Sequence, residues 1–334
     1  MAQERNNQRN NTDRIIEEIR QLNIYDLPYP RILEAIRQGA DVSKLAQLRF
    51  PLFNVPRRMI REFPREYTLF IGAIVCRQYT LALEMVQQEQ SVVEEKTPDN
   101  RNVLHYLFGN QRQKNPDALA LLQTIVKINP SLLLEESEFG IRPLDHILQN
   151  YYQRNESLQT TSYFDFIVDT LEENKEDIDK PSQYDGHTYL ITAASNNVPR
   201  HYITRLLEAG ANIDGPDNKG MTPLMHACYM RRVENVRVLL EHGAEKDLQD
   251  KDGMTALMTA MAVGNYDIVR LLMEYNVPAR TNIVSHNEFT APNLGSSAIR
   301  KQFKQNYSRK KQSNRKNNSK NGMNKKKTRA RTRK

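Results

Sequence analysis

Seven histidines and two cysteines are the side chains most able to carry chemistry in this 334-residue chain. His105, His146, His187, His201, His226, His242 and His286 are spread through it, and several lie near carboxylates in sequence, as His146 does beside Asp145. Acid–base work would need both groups in one pocket, and no sequence pattern gathers the histidines into one. His226 and Cys228 stand two apart, about 200° around a helix, so they cannot chelate one ion. Cys76 and Cys228 lie in separate apolar runs, which gives neither a disulfide framework nor a metal-ligand spacing and fits a reducing, intracellular setting. No glycine-rich phosphate loop, nucleophile elbow or HExxH helix occurs. Glu172, Glu173, Glu176, Asp177 and Asp179 cluster, but such a run reads as a solvated acidic loop. The expectation is a chain that is not an enzyme, with no metal and no cofactor.

The elements that would position any site follow a repeat. GHTYLITAA from Gly186, GMTPLMHAC from Gly220 and GMTALMTAM from Gly253 align at separations of 34 and 33 residues. RLLEAGANID and VLLEHGAEKD keep the same interval between Gly210 and Gly243, as do Leu206, Leu239 and Leu272. Each landmark has a physical task. Thr222 can accept the open N–H groups of a helix start, and Pro223 sits where a fixed φ and a missing donor do no harm. Leu224, Ala227 and Cys228 then share a face of a short first helix, while Val236, Leu239 and Leu240 form the apolar face of a second that Gly243 ends. One pair cannot bury both faces, so stacking at constant spacing is required.

Gly220 to Ala227 resembles the ankyrin repeat, whose signature is Gly-x-Thr-Pro-Leu-His-x-Ala, and the resemblance covers residues 184–283. It implies an all-α ankyrin-repeat solenoid, with helix-turn-helix repeats joined by β-hairpin loops. Met225 replaces the usual His, Ala256 replaces Pro, and Asn276-Val277-Pro278 replaces the closing Gly-Ala-Asp, as befits a worn terminal repeat. One residue is inserted near Asn197 to Arg200, where Pro199 starts the second helix. Upstream, FGIRPLDHIL from Phe139 keeps the Gly, Pro and Leu offsets with Arg142 in the Thr position. RNVLHYL from Arg101 and YTLFIGAIV from Tyr67 read as more worn first helices, with second helices at Ala118 and Tyr79. Asn102 and Arg142 hold the Thr position 40 residues apart, so longer connections are expected, notably Gln149 to Thr161 and the acidic run after Leu171. About six repeats result, degenerate over 67–180 and clear over 181–283.

Residues 1–12 are rich in Asn, Gln and Arg and read as disordered, with Thr12 or Asp13 capping a helix that opens an N-terminal helical cap over 13–66. Within it, ILEAIRQGADV reads as a worn second helix with its Gly-Ala-Asp closure. Leu27-Pro28 followed by Ile32, Leu33, Ile36, Leu45 and Leu48 also loosely resembles an F-box, which would imply a ubiquitin-ligase adaptor. At the other end, residues 289–334 hold sixteen Lys or Arg and no acidic residue, leaving 32 basic against 40 acidic side chains before them. Residues 284–334 therefore read as a disordered basic tail. Lys325, Lys326, Lys327, Arg329, Arg331, Arg333 and Lys334 would suit nucleic acid or an import receptor.

By the ankyrin resemblance, partners meet the hairpin tips and the exposed side of the first helices. In this chain those positions are His187, Ser195, Asn196, Asn218, Lys219, Met221, Tyr229, Met230, Lys251, Asp252, Met254, Ala262 and Val263. Tyr229 with Met221, Met230 and Met254 supplies the residue types that dominate interface centres. The expected function is a protein–protein scaffold in the cytoplasm or nucleus, acting as a monomer; the alternatives are a nuclear or nucleic-acid-associated factor and the F-box-like adaptor. No apolar run approaches the length of a membrane span. The Asn- and Lys-rich ends also resemble those of ankyrin proteins from intracellular parasites and large DNA viruses, which would place the chain within a host cell.

Overall fold

A computed structural model of the chain describes residues 2–51, 66–109, 115–150 and 158–274, with residues 285, 290–295, 297, 300, 301 and 304. It divides into two compact units, residues 1–192 with 208–211, and residues 193–207 with 212–334. Each unit is a stack of helix pairs.

The first unit opens with α1 (Ala2–Ile19), α2 (Tyr29–Arg37) and α3 (Val42–Ala46). The sequence places a helix cap at Thr12 or Asp13; in the structure Thr12 lies inside α1. Ile15 and Ile19 are buried and anchor this helix, and the buried Thr12 Oγ accepts the Asp41 N–H at 2.8 Å. Strand β1 (Arg49–Pro51) pairs antiparallel with β2 (Glu66–Thr68), Phe50 opposite Tyr67. The purely helical expectation for 13–66 lacked this pairing; it closes because Phe50 and Tyr67 are both essentially fully buried.

Three helix pairs follow: α4 (Leu69–Val75) with α5 (Tyr79–Gln88), α6 (Val103–Gly109) with α7 (Pro116–Ile128), and α8 (Pro143–Asn150) with α9 (Leu158–Glu173). First helices stack on first helices, α4 on α6 on α8, while α5 packs between α2 and α7. The closure after α2 repeats the geometry of a second-helix end: Gly39 has φ +91°, as do Gly210 and Gly243, and the Ala40 N–H reaches the Ala35 carbonyl as Ala244 reaches Leu239. The 40-residue interval has a visible cause. The 13-residue α7 is followed by a 3-10 turn over Pro130–Leu134 that buries Leu132, Leu133 and Leu134.

Helix α10 (Tyr189–Ser195) spans the boundary between the units. The second unit continues with α11 (Arg200–Glu208), α12 (Pro223–Tyr229), α13 (Val233–Glu241), α14 (Ala256–Val263) and α15 (Tyr266–Glu274). Within it α12 packs on α14 and α13 on α15, the same alternation. Helix α11 begins directly after Pro199. The core of the second unit contains Leu224, Cys228, Val236, Leu239, Leu257, Met261 and Leu272, each fully buried. The Asn276-Val277-Pro278 segment and the tail from residue 305 lie outside the described residues.

Caps make the repeat regular. The Oγ1 atoms of Thr68, Thr188, Thr222 and Thr255 accept the N–H three residues on at 3.1–3.3 Å, and Asn102 Oδ1 accepts from Leu104 at 3.1 Å. These bonds satisfy donors that a helix start leaves open.

Candidate functional site

The hairpin loops between helix pairs are tight hydrogen-bonded turns, with an antiparallel bridge between Lys96 and Asn102 at the first. At 97, 137, 217 and 250 the residue's N–H bonds the carbonyl four residues on, and its carbonyl accepts from the residue three on. The Ser182 turn is one residue longer, closing on His187. In the second unit two tips are built alike. Asp217 Oδ1 accepts the N–H groups of Lys219 and Met221 at 2.8 Å, and Asp250 Oδ1 accepts those of Asp252 and Met254 at 2.9 and 2.8 Å. Gly220 and Gly253 take φ values of +80° and +76°, which the turn requires. Successive tips are then tied directly, Lys251 N–H to the Lys219 carbonyl at 2.9 Å, and in the first unit Glu138 N–H to the Asp99 carbonyl at 2.9 Å. The tips therefore hold their backbones in the same form at repeat spacing.

In the second unit these turns and the ends of α12 and α14 expose Asn218, Lys219, Lys251, Asp252 and Ala262, and half-expose Met221, Met254 and Val263. Tyr229 is 55 % and Met230 45 % exposed at the end of α12. Ser195 departs from the expected surface: its side chain is buried, and Asn196 is half-buried. Their carbonyls terminate α10, accepting from Arg232 Nε at 3.0 Å and Asn235 Nδ2 at 2.7 Å, so this stretch is used to cap a helix. Arg231 follows Met230 with φ +59°, the conformation that Gly264 adopts one repeat later, and its guanidinium donates to the Val263 carbonyl at 2.6 Å. In the first unit His187 is half-buried with Nδ1 3.2 Å from Asp185.

The histidines that could have carried chemistry are mostly structural. His226 Nε2 lies 2.9 Å from Asp217 Oδ2. Burial works against the charged form of Asp217, but the bonds from His226, Met221 and Lys219 outweigh it and hold the carboxyl below its usual range. His105 and His146 do come together, rings edge to face with centroids 5.7 Å apart, contrary to the expectation that nothing gathers them. They meet because α6 and α8 stack. His105 Nδ1 is 3.1 Å from the Asn102 N–H and Nε2 2.8 Å from the Ile141 carbonyl; burial pushes its pKa down to about 4. It is a neutral link between repeats at neutral pH. Cys228 is fully buried, which pushes its thiol pKa up and away from nucleophilic use.

Arg142 holds the capping position, with partners that its place in the repeat does not reveal. It is fully buried, forks onto the Asp145 carboxylate at 3.0 and 3.2 Å, donates to the Lys180 carbonyl at 2.7 Å and lies 3.9 Å over the Tyr189 ring. Asp145 also accepts the Arg142 N–H, so one carboxylate caps α8 and neutralises the buried guanidinium. The tail residues Lys325, Lys326, Lys327, Arg329, Arg331, Arg333 and Lys334 lie outside the described residues. Among the described residues no helix is long and apolar enough to cross a membrane.

The comparisons agree with this geometry. The family model "Ankyrin repeats (3 copies)" matches residues 160–250, and "Ankyrin repeat" matches residues 252–285. Among solved structures, the ankyrin repeat domain of Bcl-3, described as a unique member of the IkappaB protein family, is 21 % identical with a TM-score of 0.55, covering 70 % of this chain and 96 % of that one. The human ASB11 ankyrin repeat domain is 18 % identical with a TM-score of 0.54, covering 72 % and 98 %. No curated protein matches the chain.

Proposed function

Because the chain is an ankyrin-repeat protein, we propose that it is a scaffold or adaptor that holds a partner protein on the tip turns and first-helix ends of its second unit. Arrays of this family are generally protein–protein interaction modules. The observation that carries the finer reading is the pair Tyr229 and Met230, both large, apolar and about half exposed at the end of an otherwise buried helix. An isolated monomer gains nothing from leaving them in water, whereas an interface would bury them at modest entropic cost. Around them the two Asx-type tips hold Met221 and Met254 at fixed backbone positions, so the surface is pre-organised. Polar Asn218, Lys219, Lys251 and Asp252 supply the wetter edge that such a surface needs. The test is the double substitution Tyr229→Ala, Met230→Ala in the full chain. Far-UV circular dichroism should be unchanged, and retrieval of the partners held by the wild type should be lost; undiminished retrieval would remove this surface from consideration.

A further inference from the structure

The first unit carries a second surface of different chemistry. Between the tips at Thr97, Ser137 and Ser182 lies a recess of about 630 Å³, bordered by Glu135, Glu136, Glu138, Glu176, Lys180 and Tyr184. Its floor is finished: Lys96 pairs with Glu135 at 2.8 Å, Asn102 Nδ2 donates to Glu135 at 2.8 Å, and Glu136 accepts the Gln183 N–H at 3.0 and 3.1 Å. Its mouth is not closed. Tyr184 is 75 % exposed, and Phe139, in the neighbouring tip, 49 %. The base of Tyr184 is nevertheless fixed. Its N–H donates to Ser182 Oγ at 3.3 Å, Ser182 Oγ donates to the Gly140 carbonyl at 3.0 Å, and a Cβ on Gly140 would fall 2.4 Å from the Tyr184 Cβ. An aromatic ring held at its root and left in water beside surplus carboxylates is an arrangement for cations on flexible stems.

The geometry points to a docking site here for a Lys/Arg-rich peptide segment of a partner protein, one cationic side chain lying against the Tyr184 ring and others facing Glu138 and Glu176. An arginine suits the ring best, because its planar guanidinium stacks while its edge still reaches a carboxylate. A recess of this size between three tips admits an extended segment, not a folded domain, and charge complementarity selects the basic one. This surface lies in the first unit and is independent of Tyr229 and Met230.

The probe is a fluorescent synthetic peptide unrelated to this chain's own sequence, RGRGRGRGRG, titrated into the full chain and followed by anisotropy at low and high salt. Binding should weaken about threefold or more in Tyr184→Ala and again in Glu138→Gln, Glu176→Gln, should fall with added salt, and should be unaltered in Tyr229→Ala, Met230→Ala. A control peptide with Gln at every basic position should not bind. All three substituted side chains are on the surface of the recess, and circular dichroism verifies that the variants fold. Equal affinity of wild type and Tyr184→Ala, or binding lost only in the Tyr229 variant, would overturn the assignment; the last variant separates failure of this site from failure of the other.

Discussion

Glu95 should make the stability of this protein fall as pH rises through the acid-to-neutral range. The residue closes the 3-10 turn Gln90–Glu94 in the first unit, and its Oε2 is buried with no hydrogen-bond partner. Burial raises its pKa from 4.5 to about 7, a shift that a bond from Thr68 and the charge of Arg49 only partly oppose. The folded state therefore holds a proton that the unfolded chain releases near 4.5. Between these two values the native form binds more protons, so stability declines with rising pH and levels off above about 7. A gap of roughly 2.5 units corresponds to at most about 3 kcal/mol. Glu95→Gln keeps the shape and removes the titration. Urea unfolding followed by circular dichroism at 222 nm, since the chain has no Trp, should find the variant close to wild type at pH 4.5 and more stable at pH 8 by up to that amount. A difference that does not change with pH would refute the reasoning, because it would mean that the carboxyl is ionised in the fold at no cost.

Arg142→Ala should cost about 3–5 kcal/mol, since it strands the buried Asp145 carboxylate, while Arg142→Ala with Asp145→Ala should cost less than the single change; chemical denaturation of both checks this. Arg231→Gly should raise the melting temperature, because relief of the left-handed backbone, worth about 1–2 kcal/mol, exceeds the exposed bond lost to the Val263 carbonyl. Any binding of single-stranded RNA by the full chain should weaken steeply with salt and vanish on removal of residues 309–334; salt-independent binding would exclude a phosphate-neutralising role for the basic segment.

The parts of the fold that could be read in sequence are those decided within a few residues. Thr222 beside Pro223, Gly220 at a positive φ and Gly243 past a helix end are local solutions to local problems, so their spacing revealed the array and the position of Tyr229. What escaped depended on distant pairs. The β1–β2 ladder joins residues about 17 apart across a connection with no turn signature. Arg142 finds Lys180 and Tyr189 a full repeat or more away, so its burial had no sequence signal beyond Asp145 three positions on. The recess at Tyr184 needs three tips at once, and the acidic run read as a solvated loop supplies Glu176 to it. Ser195 fell on the expected surface by register alone, but Arg232 and Asn235 of the following repeat cover the end of its helix.

The proposed partner surface is the exposed end of α12 in the second unit. A photo-crosslinking amino acid placed at Tyr229, and in a parallel protein at the exposed Arg270 on α15, tests it most directly in native extract. Position 229 should form a discrete crosslinked species that Met230→Ala weakens, and position 270 should not. Equal labelling at both positions, or a discrete species from 270 alone, would contradict the account.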